Sequence, residues 1–420
     1  MKLLKVMLAV LVMAAMAVPV IAEDRLSLSG EMRVRGWHVD RDHDTFIDGD
    51  DYEVKSSDNT ETWADQRLRV GGKIAVAEGV SITFRTDITE SNWGTTGGGN
   101  GFGSGRSGSN QQWDRAHIDL TKGAFHLRAG QQYKAYGKTY ALDSQDNGIS
   151  VDYKFGDVPV NAFFLLNDDN GSRSQSDAFL VGAKVSPKFD NVALNVFVGN
   201  QTDGYEESVT LIGADVTIPL DAVKIVAELD IFTGDSSSKN VDAYGTQFML
   251  DASFAASDAV TLGGTFYYGA GDDEDAQYTN IGNGFGGWDP IAKTGTSLSN
   301  EQIKFGNPFN VASLKGYEGA GLTLESAGSV GGQLYGSFKA SDSLKLGATA
   351  GFFQSEEDKI ADIEYMALAG GLVYQVMANT TFQLQLEYTD GTINKTDYVA
   401  VNGDIDFDSF RAGTGLYVKF

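Results

Sequence analysis

The stretch "QRLRVGGKIAVAEGVSITFRTDIT", residues 66–89, decides how the chain is read. From 66 to 76, Leu68, Val70, Ile74 and Val76 fall on one side of an alternating pattern, and Arg67, Arg69 and Lys73 fall on the other. From 80 to 89 the alternation resumes, with Val80, Ile82, Phe84 and Ile88 opposed to Ser81, Thr83, Arg85 and Asp87. A period of two places successive side chains on opposite faces of a strand, and the intervening "AEG" is short enough for a hairpin turn. Such a hairpin has one face suited to an apolar medium and one suited to water.

The same pattern runs from end to end. It predicts strands at 26–38, 66–76, 80–89, 113–121, 125–133, 148–155, 158–166, 178–185, 192–199 and 209–218, then at 224–232, 246–254, 260–269, 329–339, 344–353, 364–376, 380–389 and 409–420. That makes eighteen segments, or sixteen if the short ones near 148 and 178 drop out, each of roughly the ten residues that cross a bilayer at a tilt. The connectors alternate in length. Tight links such as "AEG", "TKGA", "GD", "PLDA", "ASDS" and "MAN" alternate with long polar ones at 39–65, 90–112, 134–147, 167–177, 200–208, 233–245, 270–328, 354–363 and 390–408. Short turns at one end and long loops at the other are expected of an all-β, transmembrane, antiparallel up-and-down barrel with its turns in the periplasm. A soluble sandwich has no reason to segregate its connectors in this way.

Composition agrees. The opening "MKLLKVMLAVLVMAAMAVPVIA" reads as a signal peptide over 1–22, cleaved after Ala22, which leaves a barrel over 23–420. The absence of cysteine excludes disulfides, thiolate metal sites and a lipid-modified N-terminal cysteine. Six prolines against 51 glycines, 24 Phe and 17 Tyr suit strands and tight turns. The formal charge of -25 becomes -27 when Lys2 and Lys5 are removed, which argues against nucleic acid as a partner. No run of 18 apolar residues follows Ala22, so no transmembrane helix is expected. A mean hydropathy of -0.20 suits a barrel whose strands are half wetted.

A charge at mid-bilayer on the lipid face of a barrel costs about 2 to 4 kcal/mol for Arg or Lys. In the first five strands Arg33, Arg35, Arg67, Arg69, Lys73, Arg85, Arg115 and Arg128 all lie on the polar face. Later strands supply Asp152, Asp215, Glu228, Asp230, Asp251 and Glu387, so a basic and an acidic arc are expected to line the lumen. Local pairing is the other reading, because Glu31, Asp87 and Asp119 stand among the arginines. Aromatic residues at apolar-face ends, Phe155, Phe254, Tyr268, Phe352, Tyr374, Tyr388, Phe410 and Phe420, occupy girdle positions. The final "GLYVKF" is similar to the signal read by the outer-membrane assembly machinery, with Tyr417 and Phe420 as its aromatic residues.

Three local patterns suggest chemistry. The turn at Lys122 and Gly123 is expected to set Leu120 opposite Phe125 and Asp119 opposite His126, with His117 opposite Arg128. This polar ladder reads better as hydrogen bonding than as a metal or hydrolytic site, since Arg128 repels a cation. In "DRDHDTFIDGDD", Asp40, Asp42 and Asp44 are spaced like the start of a calcium loop, but Thr45 and Asp51 stand where Gly and Glu are needed, so a solvated acidic loop is favoured. The connector 270–328 is long enough to fold over the mouth or into the lumen, and the Gly/Ser-rich run at 94–110 reads as a flexible loop.

The segment "LRAGQQYKAYGKTYALDSQDNGISVDYKF", residues 127–155, resembles Gram-negative porins of the alginate-export and substrate-specific types, in its Gly-Gln strand end, its Tyr-Gly step and its Asn-Gly restart. The strand count and the arginine-rich wall are similar too. The resemblance implies passive diffusion of small hydrophilic solutes, anions among them, through an outer membrane of lipid and lipopolysaccharide. It implies no enzyme activity and no cofactor, and leaves a homotrimer open. Two alternatives stand beside it, a polyanion exporter and a sheath around a multihaem carrier, and the acidic arc departs from a wholly basic exporter lumen.

Overall fold

A computed structural model describes residues 25–47, 53–93, 112–139, 141–168, 178–202, 208–236, 241–270, 276–277, 281, 328–356, 361–396 and 405–420. The expected signal peptide, the Gly/Ser-rich run and most of 270–328 lie outside the described residues. The first strands are β1 (Leu26–Ile47), β2 (Glu53–Ala77), β3 (Val80–Asn92), β4 (Gln112–Lys122), β5 (Phe125–Tyr136), β6 (Leu142–Phe155) and β7 (Val158–Asp168). Then follow β8 (Ala178–Val185), β9 (Lys188–Phe189), β10 (Val192–Thr202), β11 (Ser208–Leu220), β12 (Val223–Ser236), β13 (Val241–Ala255) and β14 (Val260–Gly269). The last are β15 (Ala276–Gln277), β16 (Ser329–Lys339), β17 (Leu344–Gln354), β18 (Ala361–Met377), β19 (Thr380–Thr396) and β20 (Ile405–Lys419).

The two-residue strands β9 and β15 are accessory. The other eighteen pair antiparallel in chain order, and β20 returns to β1 over Glu31↔Lys419 to His43↔Phe407, closing the barrel. The ladder extends one step further, because Gly30 N donates to Phe420 O at 2.7 Å and Phe420 N donates to Gly30 O at 3.0 Å. A side chain at Gly30 would overlap the Phe420 ring and stand 2.7 Å from the carbonyl oxygen of Arg69, so the closing aromatic lies across a position that only glycine leaves open.

Burial is inverted relative to a soluble domain. Leu334 is 73% exposed and Phe155 63%, whereas Glu228 is 2% exposed and Asp230 0%. Of the expected girdle residues, Phe155, Phe254, Phe352, Tyr374, Tyr388, Phe410 and Phe420 are exposed on the outer face, whereas Tyr268 is half-buried and donates to Glu356 at 3.1 Å. Tyr417 points the other way, and lies buried inside against Trp37. Tight turns close one end, with Gly79, Gly123, Asp190, Asp221 and Asn379 at positive φ.

Two expectations need correction. The connector 39–65 is largely strand, since β1 pairs with β2 from Leu26↔Ile74 out to Ile47↔Glu53. Where both faces of a strand meet water the apolar alternation fades while the backbone ladder persists, so the pattern marks only the membrane-crossing part. In the β4–β5 hairpin the loop has two residues, and the register slides to Leu120↔Leu127, Asp119↔Arg128 and Thr121↔His126. A slip of two leaves every side chain on its original face.

Substituting Gly30→Val is expected to weaken the closing seam by about 1 to 3 kcal/mol, the range for overpacking. Gel mobility of unheated against heated samples checks this. The variant is expected to lose its folded band at a lower temperature than the parent, and an unchanged melting profile would remove the seam argument.

Candidate functional site in the lumen

The decisive feature is a hairpin that leaves the wall. Strands β5 and β6 pair without a break from Phe125↔Tyr153 to Tyr136↔Leu142. Their outer neighbours stop early, at Ala116↔Gln131 on the β4 side and at Asn147↔Leu166 on the β7 side. Residues 132–136 and 142–146 therefore belong to the hairpin alone. The departure falls at Gly130 opposite Gly148. Gly130 has φ 125, and a Cβ on it would stand 2.9 Å from the Cα of His117. One on Gly148 would stand 2.8 Å from the Cα of Leu165, so a side chain at either place would push the hairpin away from the wall.

The hairpin tip docks across the lumen on β12 and β13. Glu228 accepts from the backbone N–H of Lys138, from that of Thr139 at 3.1 Å and from the Thr139 hydroxyl at 2.5 Å. Gln247 Nε2 donates to Thr139 Oγ1 at 2.8 Å and to Asp230 at 2.9 Å. Lys138 Nζ reaches Asp215 at 3.3 Å. Beneath the tip, Tyr136 donates to Asn161 at 2.6 Å, and its ring packs on Phe163 and Phe197 at 5.4 and 5.8 Å between centroids. Leu142, Leu165, Leu180, Leu211 and Phe232 complete a buried apolar cluster inside the barrel. Ile281, from the long connector, joins it and exchanges backbone hydrogen bonds with Asp143 and Ala141 at 3.0 and 2.9 Å. The constriction therefore rests on charge-assisted hydrogen bonds to buried carboxylates and on apolar burial together.

The arginines form a staircase across β1 to β5, with Arg33 opposite Arg67 and Arg85 opposite Arg115. Carboxylates run beside it. Arg35 meets Asp65 at 2.9 Å, Arg67 meets Glu31 at 3.2 Å, and Arg69 meets Asp87 at 2.5 Å and Asp114 at 3.5 Å. Arg85 also pairs with Asp114. Asp119 is the hub of the lower part, and accepts from Arg128 Nε at 3.1 Å, His126 Nε2 at 2.9 Å and Thr83 Oγ1 at 2.9 Å. His117 stands 3.4 Å from it, and His126 reaches Asp152 at 3.1 Å through its other nitrogen. Both readings of the wall are thus present, a basic arc and local pairing within it.

Some cations in this region have no carboxylate within ion-pair distance among the described residues. Arg115 stacks over Tyr133 of the hairpin at 5.9 Å, with a buried Nε that has no partner. Lys184 lies over the Tyr136 ring at 4.8 Å. Lys184, with Lys134 and Arg128, lines a cleft of about 670 Å³ under the hairpin, where Asp152 is the carboxylate. The opposite acids are engaged. Asp215 accepts from Asn195 at 2.9 Å, Asp251 accepts from Tyr335 at 2.9 Å and Thr265 at 2.8 Å, and Glu387 stands opposite Arg411. Asp40, Asp42 and Asp44 are spaced along β1, an extended strand rather than the loop that the calcium reading requires; Thr60 donates to Asp40 at 2.6 Å.

Asp114, Tyr133, Lys134, Thr139 and Lys184 escaped the reading of the sequence. Asp114 turns inward because it is the extra residue of a bulge in β4, where Arg85↔Arg115 is followed by Thr86↔Trp113, which alternation alone does not reveal. The inner apolar cluster had a signal, since "NAFFLL" at 161–166 is apolar on both faces.

A closed barrel with an apolar exterior, a charged lumen and an inward hairpin defines a membrane channel. A family model for Gram-negative porins matches residues 8–286, and the chain belongs to that family, whose place is the outer membrane. Among solved structures, Pseudomonas aeruginosa OccK11 (OpdR) aligns with TM-score 0.56 at 12% identity, over 95% of this chain and 97% of that one. Pseudomonas aeruginosa OpdL aligns with TM-score 0.55 at 11% identity, over 94% and 99%. Pseudomonas aeruginosa OpdK, solved with vanillate, aligns with TM-score 0.54 at 10% identity, over 94% and 99%. Likeness at these identities is one of fold. Comparison with curated protein sequences gave no match.

Thr139→Val removes a hydroxyl that serves Glu228, Asp230 and Gln247 at nearly constant volume, leaving buried polar groups short of a partner at a cost of about 1 to 3 kcal/mol. A loosened hairpin is expected to raise single-channel conductance and open-channel noise. Conductance and noise equal to those of the parent would show that the tip does not depend on this contact.

Proposed function

We propose that this outer-membrane channel passes small hydrophilic solutes by diffusion and favours anions. The observation that carries the reading is an asymmetry of pairing. Arg115, Lys134 and Lys184 surround the constriction without an ion pair among the described residues, while Asp215, Glu228 and Asp230 are engaged by the hairpin and their strand neighbours. A cation held beside water in a narrow, low-dielectric passage lowers the local energy of an anion more than the same charge does in bulk. That OpdK was solved with vanillate, an anion, supports the same direction in a relative of like fold.

We place the tight turns on the periplasmic side and take residues 1–22 as the export signal. The hairpin and Ile281 fill part of the lumen, which speaks against a polymer exporter or a sheath around a partner protein. Solutes small enough to pass beside them suit the arrangement better.

Reversal potentials in a planar bilayer under a potassium chloride gradient test the preference. The parent is expected to favour chloride, and the double variant Arg67→Gln, Arg69→Gln to shift toward potassium, because Glu31 and Asp87 lose the arginines they pair with and Asp114 keeps Arg85 alone. A parent that favours potassium would overturn the reading, and a reversal potential unmoved in the variant would take these two arginines out of the selective wall.

A further inference from the structure

Below the arginine staircase, near the tight-turn end, a second cavity of about 220 Å³ opens between β2, β3, β4 and β5. Its lining is polar throughout, and several donors in it have no partner among the described residues. Among the described residues Lys73 and Arg115 form no ion pair there, the buried Arg115 Nε has no hydrogen-bond partner, and the hydroxyl residues Ser81 and Thr121 stand beside them in the lining. Arg128 engages Asp119 through Nε alone, which leaves its two terminal nitrogens available. The single carboxylate of the cavity, Asp119, already accepts from Thr83, His126 and Arg128. Three cations therefore face one carboxylate that is satisfied from within the wall.

We propose that this cavity is a binding subsite for a phosphoryl group. The donors come from four strands and surround a compact volume. That suits a tetrahedral oxyanion with several acceptor oxygens better than a planar carboxylate, which one bidentate guanidinium satisfies. The larger cleft under the hairpin shares His126 and Arg128 with this cavity, so the organic part of a phosphate monoester has a place beside it. The inference rests on the anion reading above and names the class of anion.

The test is titration calorimetry of the purified full-length protein in detergent at pH 7 and low ionic strength, with inorganic phosphate, glycerol phosphate and acetate as probes. Phosphate is expected to bind at least about tenfold more tightly than acetate, and Lys73→Gln or Ser81→Ala to weaken it, the lysine change by about tenfold. Glycerol phosphate binding more tightly than inorganic phosphate identifies the ester as the ligand; equal affinity identifies the free ion, and both support the subsite. Equal affinity for acetate and phosphate in the parent would overturn the proposal without any variant, and so would phosphate binding unchanged in Lys73→Gln and Ser81→Ala. Conductance in potassium chloride is read separately. A conducting, anion-selective protein that binds no phosphate overturns the subsite alone, and a protein that binds phosphate but favours potassium overturns the anion preference alone.

Discussion

Every backbone N–H and C=O that crosses the hydrocarbon must find its partner inside the protein, because lipid supplies none. In a sheet the requirement is met only when the last strand returns to the first. Here the return runs along β1 and β20 and finishes at Gly30 and Phe420, whose backbones exchange two hydrogen bonds. The rest of the architecture follows from that closure. Once the ring is shut, alternation sends one set of side chains to lipid and the other to a shared interior, and the interior becomes the only place for arginines, aspartates and glutamates at mid-height.

Such crowding needs internal neutralisation, and the staircase supplies it. Glu31, Asp65, Asp87, Asp114 and Asp119 stand one strand away from their arginines, close enough to fix each guanidinium without a long side chain searching the lumen. An ordered guanidinium at the edge of water still presents N–H groups to a passing solute. Pairing therefore positions the basic wall as much as it tempers it. The guanidinium outside this pattern, Arg115, is held by the Tyr133 ring of the hairpin, so its place depends on the constriction rather than on a carboxylate.

The barrel was legible because its rule is local. Leu68, Val70, Ile74 and Val76 against Arg67, Arg69 and Lys73 state the two faces within one hairpin, and the same rule located all eighteen crossing strands. What alternation cannot report is departure from the wall. Residues 132–136 and 142–146 look like a polar connector, and the glycines at 130 and 148 look like any others among 51. Their meaning comes from the tip they carry, whose Lys138 and Thr139 meet Glu228 and Asp230 about ninety residues away in the chain. Register was weakly specified for a related reason. Sliding the β4–β5 hairpin by two positions keeps Asp119, His126, His117 and Arg128 on the lumen face, so the pattern predicted their company and missed Asp119 as its centre.

The hairpin links the width of the passage to its charge. Docking the tip brings Thr139 and Lys138 onto Glu228, Asp230 and Asp215, which are the acids that would otherwise oppose the arginines across the water. The same fold sets Tyr133 under Arg115 and Tyr136 under Lys184, bringing two cations to the narrow part. Narrowing, masking of the negative wall and presentation of the positive one thus come from a single element. A hairpin displaced from its seat would open the lumen and expose carboxylates in one movement, so conductance and cation preference should rise together across any series of variants at this contact.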